Sequence, residues 1–157
     1  MWNIVYCSIF VVALWAPFVI YHTNLHGFSL LQISITLFNA INVLICLWEI
    51  ALYTFIDQIQ AQYTLLKAKY KRSLPPGFVL LDDAPISKAL SLQHWTQIWS
   101  TYSLLDASYS DPKSFGFWID VGNGHFMILP TLLWSYSLTY DTTNMLVSPR
   151  TVALMAA

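Results

Sequence analysis

The chain has 157 residues, of which 57% are hydrophobic and only 10% are charged, and its formal net charge is −1. Soluble domains carry about 25% charged residues, so this composition excludes an ordinary soluble globular protein. The balanced charge also removes the main electrostatic requirement for nucleic-acid binding. The first formally charged side chain is Glu49, and so long a stretch without charge cannot form a water-facing surface. The composition therefore predicts a polytopic membrane protein.

Two apolar segments open the chain. Residues 2–21 form the first, and at 1.5 Å per residue about 20 residues cross a hydrocarbon core of roughly 30 Å. The absence of a basic N-terminal region favours a transmembrane helix over a cleaved signal peptide. A short polar break at residues 22–27 predicts a tight helical hairpin, and residues 28–56 form the second span. The length of the second span implies tilt or an end outside the bilayer.

A polar loop follows at residues 57–98, where charged residues and prolines return. Its start, residues 56–70, keeps helical spacing and predicts that the second helix continues out of the membrane. Four of the seven basic residues cluster in this loop, at Lys67, Lys69, Lys71 and Arg72. The positive-inside rule therefore predicts that the loop and the N-terminus face the cytoplasm, with residues 22–27 on the luminal side.

The C-terminal part predicts an interfacial segment at residues 99–114 and a third span at residues 115–140. Residues 149–157 begin like a helix but are too few to cross a bilayer, so we expect either a stub or a last helix that this chain lacks. The predicted fold is a single all-α membrane domain over residues 1–157. It is a polytopic transmembrane helical bundle with three full spans and a partial fourth.

Two acids, Glu49 and Asp120, lie at predicted membrane depth, where an ionisable side chain costs about 2.5–3.5 kcal/mol. Such residues usually face a protein interior or a wet cavity, so we expect both to face a shared cavity. Glu49 follows Trp48 and predicts either a catalytic proton donor or acceptor, or an acid that is hydrogen-bonded to a neighbouring helix. Asp120 shares a helical face with Asn123 and Gly124, which suits either a ligand or close helix packing.

The tryptophans allow two interpretations. Four of them, Trp15, Trp48, Trp118 and Trp134, could line a pocket whose ring faces stabilise a cationic ligand or a carbocation. Membrane proteins also place tryptophan at both interfaces as anchors. The sequence has no Cys/His metal spacing, phosphate-binding loop or nucleophile elbow, so we expect neither a metal nor a cofactor.

A spaced motif lies between residues 99 and 130. Its members are Trp99, Tyr102, Asp106, Tyr109, Phe115, Asp120 and Pro130. This pattern resembles the signature of the emopamil-binding protein (EXPERA) family, in which W-x2-Y-x3-D-x2-Y precedes a membrane helix that bears an acid and then a proline. The first four motif residues could also form one stripe of an interfacial helix, with Asp106 capping a helix or pairing with a basic group.

The resemblance implies a bundle of four or five helices around a lipid-accessible cavity that binds sterols and amphiphilic amines, in the endoplasmic reticulum membrane. In catalytic members the cavity moves a sterol double bond from the 8(9) to the 7(8) position. Glu49 and Asp120 take the places of the two catalytic acids of the family. The ligand-binding candidates are Trp48, Trp118, Asn123, Trp134, Tyr102 and Asp106.

A second hypothesis is a non-catalytic accessory subunit of a larger membrane complex, or a homodimer, in which the same acids satisfy helix contacts. It is favoured by the incomplete last helix and by Ile45, since the isomerases carry a histidine at that place, four residues before the second-helix acid. The isomerases also carry a glutamate where this chain has Asp120. A channel or carrier is least favoured, because the sequence shows neither repeats nor a polar stripe through several helices.

Overall fold

A computed structural model describes residues 1–70 and 79–140 of the chain, and these residues form helices joined by short turns. The α-helices are α1 (Asn3–His26), α2 (Leu30–Thr54), α3 (Ile56–Tyr70), α4 (Ile86–Ala89), α5 (Thr96–Tyr102), α6 (Phe115–Phe126) and α7 (Ile128–Tyr140). Short 3-10 helices lie at Val79–Leu81, Leu92–Trp95 and Ala107–Ser110. The predicted all-α class is confirmed for the described residues. The predicted partial helix at residues 149–157 lies outside them.

The first two helices form a long hairpin. Its turn is shorter than the predicted break at residues 22–27, because α1 stays helical as far as His26. Gly27 ends the helix with φ +83°, a conformation that glycine adopts without a steric penalty. Ser29 then caps α2 by accepting a hydrogen bond from the Gln32 amide at 3.4 Å.

Both helices of the hairpin are long and apolar enough to cross a membrane. In the most apolar 18-residue stretch of each helix, only 6% of the residues of α1 and 33% of the residues of α2 are buried inside the protein. A core helix of a soluble protein would be largely covered. The apolar side chains of α1 instead point outward, which leaves a surface suited to lipid or to another apolar helix.

The third predicted span, residues 115–140, is interrupted at Met127 and forms the two helices α6 and α7. Pro130 explains the interruption, since it has no amide hydrogen for the Phe126 carbonyl and its ring crowds that position. The helices have 12 and 13 residues, so each is only about 18–20 Å long. Neither is long enough to cross a bilayer by itself.

Two other predictions of continuous helix need correction. The second span and its extension are separated at Phe55, which is the C-cap of α2 and has φ −122°. The extension itself, Ile56–Tyr70, has the predicted bounds. Residues 99–110 do not form one interfacial helix, because α5 ends at Tyr102 and a turn leads to the 3-10 helix Ala107–Ser110.

The N-terminal end of α1 is fixed to the segment at residues 79–95 through Asn3, which is fully buried. Its amide nitrogen Nδ2 donates to the Val79 carbonyl at 2.8 Å, and its backbone amide donates to the Asp82 carbonyl at 3.0 Å. The Asn3 oxygen Oδ1 lies 3.1 Å from Nε2 of His94. The start of α1 and the 79–95 segment therefore lie at the same end of the bundle. Which side of a membrane that end faces stays a prediction.

Helix α2 is the centre of the bundle and packs against α1, α6 and α7. Its contact with α7 is polar: Asn39 donates to the Ser135 hydroxyl at 2.9 Å, and Asn42 donates to the Thr131 hydroxyl at 3.2 Å. We call these four residues the polar seam. In an apolar environment such side chains stabilise a helix pair because they satisfy one another.

Candidate functional site

Glu49 lies where α6 crosses α2, and its side chain is only 4% exposed. The amide nitrogen of Asn123, on α6, donates to Oε2 of Glu49 at 2.6 Å. A buried carboxyl group needs such a partner, since an unsatisfied buried polar group costs about 1–3 kcal/mol. One of the two interpretations of Glu49 from the sequence was an acid that is hydrogen-bonded to a neighbouring helix. The structure shows this hydrogen bond, and the donor is the candidate residue Asn123.

Gly124 brings the backbone of α6 against this acid. A Cβ atom at position 124 would lie 2.6 Å from the Cβ of Glu49 and 3.1 Å from the backbone oxygen of Cys46. Only glycine fits there without displacing a helix. The Cys46 thiol also lies 3.6 Å from the Asn123 carbonyl. Cys46 was not among the predicted site residues, although its position three residues before Glu49 places it on the same helical face.

Asp120 lies one helical turn before Gly124 and is half-buried. Its carboxyl group is close enough to that of Glu49 for the two to interact electrostatically. Within the described part of the chain, no hydrogen bond reaches the Asp120 carboxyl group. The two predicted acids are thus brought together, but the chain itself satisfies only Glu49.

The motif residues form an aromatic cluster beside the acids. Trp99 is buried, and its indole Nε1 donates to the backbone carbonyl of Trp48 at 2.6 Å. The Tyr109 ring lies 5.4 Å from the Trp99 ring and 5.5 Å from the Tyr102 ring. Although these residues do not form one helical stripe, the turn after α5 folds Tyr109 back onto Trp99 and Tyr102.

Tyr109 of this cluster lies near enough to Asp120 to be affected by its negative charge. Burial, together with the nearby negative charges of Asp120 and Asp106, raises the pKa of Tyr109. Asp106 itself caps the 3-10 helix Ala107–Ser110, because its carboxylate accepts from the Ser108 amide at 2.9 Å. This hydrogen bond lowers the pKa of Asp106. Asp106 is exposed, so its observed contact is with the backbone at the edge of the cluster.

The three tryptophans among the ligand-binding candidates lie in different surroundings. The Trp48 ring packs against Trp95 with ring centres 5.7 Å apart, and its buried Nε1 has no partner among the described residues. Trp118 is 52% exposed and donates to the Pro112 carbonyl at 2.8 Å. Trp134 is 49% exposed on α7. Trp48 therefore lies against the aromatic cluster, whereas Trp118 and Trp134 lie on the outer surface of the bundle.

The arrangement leaves the Asp120 carboxyl group able to exchange a proton with a ligand or to bind a polar group that reaches it. Aromatic faces nearby suit a cationic or strongly apolar ligand. Among the described residues no group of three His, Cys, Asp or Glu side chains could hold a metal ion.

Comparison with known protein families, with curated proteins and with solved structures found no match to this chain. The likeness to the EXPERA family therefore rests on the motif at residues 99–130 alone.

Proposed function

We propose that this chain is an EXPERA-like integral membrane protein that binds a sterol or another amphiphilic lipid in an intramembrane cavity beside Asp120, next to the crossing of α2 and α6. This proposal rests on Asp120, which is half-buried and lies next to the buried Glu49. The carboxyl group of Asp120 has no hydrogen-bond partner among the described residues. A ligand hydroxyl or amine would satisfy it. The buried indole nitrogen of Trp48, the residue before Glu49, is also without a hydrogen-bond partner among the described residues.

The membrane part of this proposal is supported by two helices that are long and apolar enough to span a bilayer, and by the outward-facing apolar surface of α1. Helices α6 and α7 would cross together as a broken third span, since Pro-interrupted helices are tolerated in membranes where neighbours satisfy the backbone. The endoplasmic reticulum is the membrane that the family likeness favours.

In a catalytic form, the protein would shift a sterol double bond. One acid delivers a proton to C9 of the 8(9) alkene, the resulting carbocation lies against aromatic faces, and the other acid removes a proton from C7. The sterol gains and loses one proton, so no cofactor is required. Glu49 and Asp120 are the residues proposed for these two steps.

A second candidate function is a non-catalytic subunit of a membrane complex. It is favoured by the Asn123–Glu49 hydrogen bond and the close packing at Gly124, which satisfy Glu49 as a structural acid. The exposed apolar face of α1 would then contact a partner helix or a second copy of the chain.

Photolabelling with a diazirine sterol distinguishes the two candidates. For a ligand site we expect labelling of α2 and α6 peptides that unlabelled sterol competes away. Labelling only of outward residues such as Trp134, without competition, would reflect bulk lipid and would refute the ligand site. Native mass spectrometry of the same preparation would then support the subunit function if it shows a stoichiometric partner chain.

A further inference from the structure

A polar groove of about 390 Å³ lies outside the Glu49 site, at the end of the bundle where the 79–95 segment meets the start of α1. It is lined by Ser87, Lys88, Ser91 and His94, together with three glutamines from α3, the segment before α5 and α5. Its volume lies in the range of about 300–1,000 Å³ that small-molecule sites occupy. The groove is therefore large enough for a headgroup-sized ligand.

The charge of the groove favours an anion. Among the residues that the structure describes, no carboxylate lines the groove and Lys88 has no ion pair. Two acids lie nearby. Asp83 is engaged by the N-terminal amino group at 3.3 Å, and Asp82 is within electrostatic range of His94 without lining the groove. An exposed lysine beside two hydroxyl groups supplies the donors that a phosphate accepts.

Apolar side chains border the groove on α4. Ile86 is 63% exposed and Leu90 is 81% exposed, and their spacing of four residues places them on one side of the helical turn. Ser87 and Ser91 follow each of them by one residue and line the groove. A short element with exposed leucine and isoleucine on one side and serine and lysine on the other is typical of a membrane surface.

We propose that this groove binds the headgroup of a phospholipid with a net negative charge, with Lys88 as the countercharge and the hydroxyl groups of Ser87 and Ser91 as donors to the headgroup oxygens. Ile86 and Leu90 would contact the upper part of the acyl chains. The proposal depends on the membrane placement of the proposed function but not on the Glu49–Asp120 site.

The test uses the full chain in nanodiscs of phosphatidylcholine, with and without phosphatidylserine, followed by native mass spectrometry of the retained lipid. We expect phosphatidylserine to be retained in preference to phosphatidylcholine. Lys88→Gln should lower that retention about fivefold, the effect of roughly one surface cation. Lys113→Gln is the matched control, because Lys113 is also exposed but does not line the groove.

Several results would overturn the proposal. Equal loss in both lysine variants would mean only general surface charge, and equal retention of the two lipids would mean no anion preference. Displacement of phosphatidylserine by free inorganic phosphate would indicate a soluble anion site instead of a lipid site. A failure of the chain to enter nanodiscs would refute the membrane placement as well. If Lys88→Gln does not lower the retention of phosphatidylserine, the groove does not bind this lipid through Lys88. The proposed function would be unaffected by that result as long as unlabelled sterol still competes with the photolabel.

Discussion

Gly124 of α6 lies so close to Glu49 of α2 that a Cβ atom at position 124 would be 2.6 Å from the Cβ of Glu49. The hydrogen bond from Asn123 to Glu49 is 2.6 Å long and lies next to this contact. The close approach of the two backbones and the pairing of the buried acid are thus parts of one helix crossing. The position of Asp120, one turn earlier on α6, depends on the same crossing.

The first prediction compares two glycines of α6. Gly124→Ala should destabilise the protein by about 1–3 kcal/mol, because the added methyl group meets backbone atoms of α2 as well as a side chain. Gly122→Ala is the control. It has no atom within 4 Å of the added Cβ and should stabilise the helix by about 0.5–1 kcal/mol. Thermal unfolding in detergent measures both, and equal effects of the two substitutions would contradict this packing.

The second prediction concerns the polar seam between α2 and α7. A double-mutant cycle of Asn39→Ala and Ser135→Ala should give a coupling free energy of about 0.6 kcal/mol and at most about 1.7 kcal/mol, as for hydrogen bonds between membrane helices. The 2.9 Å bond between these side chains is the cause. Ser34→Ala is the control, since Ser34 is exposed on the same helix. Strict additivity of the two substitutions would exclude the bond as a stabilising contact.

The third prediction is a pH dependence from His94. Burial, and then the charge of Lys88, lowers the pKa of His94 below its ordinary value of 6.5, against the opposing effect of Asp82. Folding thus favours the neutral ring. The free energy of unfolding should therefore be unaffected by His94 above about pH 6.5, and it should fall as the pH drops from there toward the pKa of His94 in the folded protein. His94→Gln should remove this part of the slope in a series of melting temperatures. An unchanged slope would mean that His94 does not contribute.

Hydropathy was sufficient to predict α1 and α2, because about 20 apolar residues in sequence admit few other structures. The interruption at Met127 was harder to predict, since Pro130 can bend a helix or end it, depending on its neighbours. The sequence analysis also included Trp118 among the tryptophans that could line the pocket. A residue two positions before Asp120 is rotated about 200° away from it on a helix, and Trp118 accordingly lies on the outer surface.

Contacts between distant segments could not be predicted from local pattern. The bonds from Asn123 to Glu49 and from Trp99 to the Trp48 carbonyl join residues 74 and 51 positions apart. Their formation depends on how the helices cross, and that in turn depends on small residues such as Gly124. The sequence showed that Asn123 and Asp120 share a face, but not that Asn123 alone would reach the buried acid.

The fourth prediction tests Asp120 as a catalytic acid. If the protein isomerises a sterol, Asp120→Asn should abolish turnover and leave sterol binding within roughly a factor of ten, because the amide keeps the shape but cannot exchange the proton. Asp111→Asn is the control, since Asp111 is exposed and outside the site. The assay is conversion of an 8(9) sterol, followed by mass spectrometry. Absence of turnover in the wild type, with release of a partner chain by Asp120→Asn, would refute the enzyme and favour the accessory subunit.

The last prediction concerns Ile45, which lies one helical turn before Glu49 on α2 and is 36% exposed. The motif at residues 99–130 resembles the EXPERA family, and catalytic members of that family have a histidine at the place that corresponds to Ile45. Ile45→His would restore a group that can share a proton with Glu49 from a distance of four residues. Since a positioned acid–base group contributes about 10²–10⁴-fold to a rate, turnover should rise at least tenfold over the wild type in the same assay. Ile45→Gln controls for polarity without titration, and an equal rise in both variants would exclude proton transfer by the histidine.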